Sequence, residues 1–140
     1  SFADFKFLSL CPETGAGMAV PRPAIELRRR EAGIDICLVE SGESVAPAMQ
    51  SWADRTVERL KKQDIRGFIF KERSPSCGLG NAGLFNEQGH ELDKTSGFFA
   101  SIILEQFPGI PVTGDEALED PVALKVFADK CRLGGRDEEL

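Results

Sequence analysis

Apolar positions along the chain fall into two rhythms. In Pro47–Gln63, residues Met49, Trp52, Ala53, Thr56, Val57 and Leu60 recur at three- and four-residue steps. That is the spacing of one face of an α-helix. Pro47 suits its first turn, with Ser44 or Ala46 ahead of it. Ser96–Phe107 repeats the rhythm with Phe99, Ile102, Ile103 and Gln106 on one side and Phe98 widening the stripe. Ser96 fits its N-cap and Pro108-Gly109 its end. Pro121–Leu133 predicts a last helix, with Val122, Val126 and Phe127 turned inward.

Short apolar runs bounded by Gly or polar clusters predict strands. These are Phe5–Leu10, Ile34–Val39, Gly67–Lys71, a weak one at Leu84-Phe85, and Ile110–Val112. Ala24–Glu31 is short, basic and amphipathic at best, and Gly134–Leu140 reads as a polar tail. Strands alternating with helices predict an α/β fold. The expected form is a mainly parallel sheet with helices on both faces, Rossmann-like and three-layered. A right-handed crossover should join the strands that flank Pro47–Gln63.

The 140 residues suit one domain with a core of its own, and 41% apolar with 29% charged residues is ordinary for a soluble chain. The net charge of -6 speaks against gripping long nucleic acid by neutralising phosphates. A small neutral substrate stays open. No apolar run approaches the roughly 18 residues of a membrane span, and Ser1–Leu10 lacks a signal-peptide pattern. The expected setting is the cytoplasm, with reduced thiols. The cysteines are Cys11, Cys37, Cys77 and Cys131, widely spaced and without a CxxC. Disulfides are not expected. His90, the one histidine, lies in a polar turn and should be exposed. The run Arg28-Arg29-Arg30 reads as a solvated face.

Chemistry concentrates where predicted strands end. Phe68-Ile69-Phe70 runs into Lys71-Glu72-Arg73-Ser74-Pro75-Ser76-Cys77-Gly78, which holds hydroxyls, a thiol and two cations. Phe5–Leu10 runs into Cys11-Pro12-Glu13-Thr14-Gly15, and Ile110–Val112 into Thr113–Glu116. Ligands of open parallel sheets bind in the crevice at such strand ends. Cys11 and Cys77 are therefore candidate ligands of a soft metal or an iron–sulfur cluster. Glu13 is a candidate general acid or base. Ser74 could hydrogen-bond a substrate. The plainer readings are that Glu13 caps a helix or turn and Ser74 satisfies loop backbone. Cys37 and Cys131, within a predicted strand and helix, read as packing residues.

The stretches CPETGAGMAVPRPAIEL (Cys11–Leu27) and FKERSPSCG (Phe70–Gly78) closely resemble the DUF523 family, whose characterised members are thiouracil desulfidases. SGFFASIILEQFPGIPVTGDEALEDP (Ser96–Pro121) resembles it too, and looks like the subgroup fused to a DUF1722 domain. The resemblance implies a single DUF523-like domain over 1–140. It implies a [4Fe-4S] cluster with one open iron, at which sulfur leaves a thiolated uracil or related nucleobase. By motif position Cys11 and Cys77 would be cluster ligands, Glu13 the proton donor and Ser74 a substrate-orienting hydroxyl. Family members carry a Cys-Leu-x-Gly loop well before the CPE motif. This chain starts just before CPE, so the resemblance implies that it would be N-terminally incomplete relative to the family and one ligand short. A DUF1722-like neighbour and a homodimer are the expected partners. The competing class is a non-catalytic, small-ligand-binding or regulatory α/β domain that has lost the cluster.

Overall fold

The computed structural model describes residues 5–133. In chain order it contains α1 (Pro12–Gly15), β1 (Ile25–Arg30), β2 (Gly33–Leu38), α2 (Ala46–Lys61), β3 (Phe68–Phe70), β4 (Ala82–Phe85), β5 (Glu91–Thr95), α3 (Phe98–Gln106), β6 (Val112–Gly114), a 3-10 turn (Glu116–Glu119) and α4 (Pro121–Leu133). Gly134–Leu140 lies outside the described residues.

The fold is α/β, but its strands divide between two sheets. One has the order β2-β1-β4-β5 and the other pairs β3 with β6. β1 runs antiparallel to β2 and parallel to β4, while β4 runs antiparallel to β5. The larger sheet is therefore mixed, where helix–strand alternation suggested mainly parallel pairing. The cause is local. β1 and β2 are joined by the turn at Glu31-Ala32, and β4 and β5 by the turn Asn86–His90. Connections that short can only reverse the chain. β2 and β3, which flank α2, sit in different sheets, so the crossover expected between them is not formed within one sheet.

The reason for β1 lies in its two faces. Leu27 pairs with Ile36 on one side and Leu84 on the other, and all three are buried. Glu26, Arg28 and Arg30 alternate with them and pair among themselves and with β2. Arg28 Nη2 reaches Glu26 Oε2 at 2.7 Å, and Arg30 Nη1 reaches Asp35 Oδ2 at 2.7 Å. Arg28 is buried, so the basic run is largely an ion-pair network instead of a solvated face; Arg29 alone of the three is exposed. β5 was hidden from the sequence by its charges, since four of its five residues are exposed. Phe5–Leu10 forms no strand, and Phe7 and Leu8 stand mostly in solvent.

α2 joins the two cores. Met49 packs with Leu27, Ile36, Ala82 and Leu84 of the larger sheet. One to three turns on, Ala53, Val57 and Leu60 pack with Phe70, Phe99, Ala100 and Ile103. α3 follows its predicted face at Phe99 and Ile103, while Gln106 is exposed. In α4 Phe127, Ala128 and Cys131 are buried, but Val122 and Val126 face outward. His90 is exposed, as expected. Among the described residues no helix is long and apolar enough to cross a membrane.

Candidate functional site

Two short segments build the site. In the first, Cys11 occupies the N-cap of α1, and its sulfur accepts the Thr14 N–H at 3.5 Å. Arg22, from the PRP stretch, folds back over this turn. Its Nη1 lies 3.0 Å from Cys11 Sγ and 3.5 Å from Glu13 Oε1, and its Nη2 lies 2.5 Å from Thr14 Oγ1. Partial burial raises the Cys11 pKa. Hydrogen bonds from Thr14, Arg22 and the Glu13 backbone outweigh it and bring the thiol down to about 7. A lowered pKa at an exposed sulfur favours the thiolate there.

The second segment is the turn Ser74–Gly78, closed by Gly78 N–H donating to Ser74 O at 2.7 Å. Ser74 Oγ accepts the Ser76 and Cys77 N–H groups, each at 3.2 Å. It also lies 3.0 Å from Ser76 Oγ. Ser74 thus does what the plainer reading required of it and orders the loop. The turn is entered through Arg73, whose φ of 65 is a left-handed conformation that costs a side-chain-bearing residue about 1–3 kcal/mol. Several contacts hold it there. Arg73 N–H donates to Asn81 Oδ1 at 2.8 Å, and its guanidinium forks onto the Glu116 carboxylate. Glu72 N–H donates to Asp115 Oδ1, and Glu72 Oε1 accepts the Glu116 N–H at 3.0 Å. The loop after β6 therefore clamps the loop after β3.

α3 holds the turn from its other side. Phe98 N–H donates to Pro75 O, Phe99 and Ala100 N–H to Ser76 O, and Gly97 N–H to Gly78 O, at 2.7–3.1 Å. Gly97 occupies the N-cap of α3 without a side-chain cap. A Cβ there would meet Cys77 N and Ser76 C at 2.5 Å, so only glycine permits this approach. Ser96, the predicted cap, instead accepts Gly80 N–H at 3.0 Å.

The two segments meet at Ser76. Its Oγ lies 3.5 Å from Glu13 Oε2 and 3.5 Å from Cys77 Sγ. A continuous chain of contacts thus runs from Cys11 through Arg22, Glu13 and Ser76 to Cys77. Burial pushes the Cys77 thiol up, and the negative charge of Cys11 and Glu13 adds to that. Cys11 and Cys77, Glu13 and Ser74 are gathered here. Cys37 and Cys131 are buried apart from them. Arg22 and Ser76 were not singled out from sequence. Their place inside the two motifs, PRP and SPSC, was the one signal available. Beside Cys77 opens a cavity of about 1070 Å³, whose walls include Leu10, Leu60, Phe70 and Phe99 but neither Cys11 nor Glu13.

Soft thiol donors beside a fixed cation suit iron and sulfide in kind. Among the described residues no group of three or more His, Cys, Asp or Glu side chains could hold a metal ion. Cys11 and Cys77 would therefore supply two of the three or four cysteines that an iron–sulfur cluster takes.

Fold and site together define an α/β protein with a thiol-and-carboxylate centre between two loops. The profile of the 2-thiouracil desulfurase family matches residues 2–115, and the chain belongs to that family. Among solved structures it is similar to a [4Fe-4S]-dependent thiouracil desulfidase, TudS (DUF523Vcz). The TM-score is 0.61 and the identity 30%, over 85% of this chain and 74% of that one. No curated protein matches it significantly.

Proposed function

We propose that the protein removes sulfur from thiouracil or a related thiolated nucleobase, with water as co-reactant, giving the carbonyl compound and hydrogen sulfide. The observation that carries this reading is the convergence of Cys11, Cys77 and Glu13 through Arg22 and Ser76, in a chain of the desulfurase family. Cys11 and Cys77 would supply two of the ligands of a [4Fe-4S] cluster. Once bound, the cluster supplies a soft Lewis acid for the thiocarbonyl sulfur. The protein's own part is proton management. Glu13 reaches the centre from α1 and moves a proton between the attacking water and the departing sulfur, help worth about 10²–10⁴ in rate. Ser74 would orient the ring through its hydroxyl if one of its loop hydrogen bonds opens. The non-catalytic alternative gains nothing from the site, since a regulatory pocket has no need of a carboxylate poised between two thiols.

The test is anaerobic reconstitution with iron and sulfide, followed by thiouracil turnover. A brown protein absorbing broadly near about 400 nm and forming uracil with sulfide in equal amounts is the expected result. Iron that fails to bind, or a loaded protein that leaves thiouracil intact, would sink the proposal.

A further inference from the structure

Ser76 is buried, at 2% exposure, and surrounded by polar atoms. Counting donors and acceptors fixes the direction of its hydrogen bonds. Ser74 Oγ already accepts two backbone N–H groups, which uses both of its lone pairs. In the 3.0 Å contact with Ser76 it must therefore be the donor. Ser76 Oγ receives that proton and has its own to give. Two acceptors lie in reach at 3.5 Å, Glu13 Oε2 and Cys77 Sγ. A carboxylate is the stronger acceptor of the two. The chain of hydrogen bonds thus runs one way, from the amides of the turn through Ser74 and Ser76 to Glu13, and each bond polarises the next.

We propose that Ser76 is the positioning residue of this site: it ties the Glu13 carboxylate to the turn that carries Cys77. The proposal rests on the reading of Glu13 as the proton-transfer group. The two carboxylate oxygens are then held from different sides, Oε1 by Arg22 of its own segment and Oε2 by Ser76 across the gap. At 3.5 Å the second tie is long for an O–H···O bond, and such contacts tighten when substrate arrives. Ser76 itself cannot drift. Its carbonyl accepts two N–H groups from α3, and Gly97 packs directly on its backbone. Ser74 then acts on Glu13 through Ser76 as well as ordering the loop.

Ser76→Ala deletes the hydroxyl and leaves every backbone contact of the turn in place, so the fold should survive. Two readouts decide the matter. In the metal-free protein, the ¹³C carboxyl resonance of Glu13, assigned through Glu13→Gln, should shift between H₂O and D₂O because exchangeable protons of Ser76 and Arg22 are bonded to it. Ser76→Ala should shrink that shift to the part left by the Arg22 N–H on Oε1. In the reconstituted protein, Ser76→Ala should lower kcat for thiouracil about tenfold or more. KM should stay within about twofold and iron content unchanged, as expected for a group that positions a proton-transfer residue. A Glu13 resonance indifferent to Ser76→Ala would overturn the tie. So would loss of iron together with turnover, since Ser76 would then be structural. If the unsubstituted protein binds iron yet converts no thiouracil, the proposed function fails, and the carboxyl resonance alone still decides whether the tie exists.

Discussion

At Cys11 the sulfur caps α1 and takes a guanidinium at 3.0 Å, whereas Cys77 sits under Ser76 with a buried surface around it. The two thiols should therefore differ in the metal-free protein. Iodoacetamide at pH 7.5 should label Cys11 well before Cys77, and the Cys11 rate should fall as the pH drops below about 7, because the thiolate is lost there. Equal labelling of the two, read by peptide mass, would contradict this electrostatic contrast. Glu13→Gln should keep iron and sulfide at the parental level and cost about 10²–10⁴ in turnover, while Cys77→Ser should lose both iron and turnover. A Glu13→Gln protein that turns over like its parent would make Glu13 a structural residue. Cys11, Glu13 and Cys77 could be picked out of the sequence because a thiol or carboxylate at a predicted strand end points to metal or proton chemistry by its type alone. Ser76 and Arg22 could not. The weight of Ser76 comes from a contact with a residue 63 positions away, and that of Arg22 from a chain that folds back over 11.

At the scale of elements, glycines set how closely the parts approach. Gly97→Ala places a methyl against the backbone of Ser76 and Cys77, which cannot yield as a flexible side chain would. The expected loss is about 1–3 kcal/mol in a denaturant melt, the usual range for overpacking. Gly15 is similar. A Cβ there would overlap the ring of Trp52, the one tryptophan, so Gly15→Ala should change its emission spectrum. The helices were readable because α2 and α3 present apolar residues at helical spacing to two cores. The strands were harder. β1 carries three arginines and three of the five residues of β5 are charged, so neither shows the apolar run that marks a strand. Each is held by pairing with its neighbours, which composition cannot reveal. Phe5–Leu10 had the right residues but makes no ladder.

For the whole molecule, acid should loosen the clamp between the loops after β3 and β6. The backbone N–H of Glu72 and, less strongly, Lys71 hold the Asp115 carboxyl below its usual range, and Arg73 does the same for Glu116. Groups with depressed folded pKa values add stability above their unfolded pKa and lose it as the pH falls through the folded one. Both side chains are 40% exposed, so solvent screens them and the effect should be modest. Melts taken from pH 6 down to pH 3 should show it, and Glu116→Gln should flatten part of the slope. An unchanged slope in that variant would assign the acid sensitivity elsewhere.

The way α3 begins has a further consequence. Its first amides are satisfied by carbonyls of the turn that carries Cys77, so the helix borrows its start from the loop proposed to bind. If occupancy firms the loop, it should firm the helix too, and the coupling is the same free energy in both directions. Loading the site should slow hydrogen exchange at Phe98, Phe99 and Ala100, far more than at the amides of α4. Substitutions that stiffen the exposed face of α3 should in return tighten whatever the loop holds. A helix in the core would thus report, through its own fraying, whether the surface site is filled.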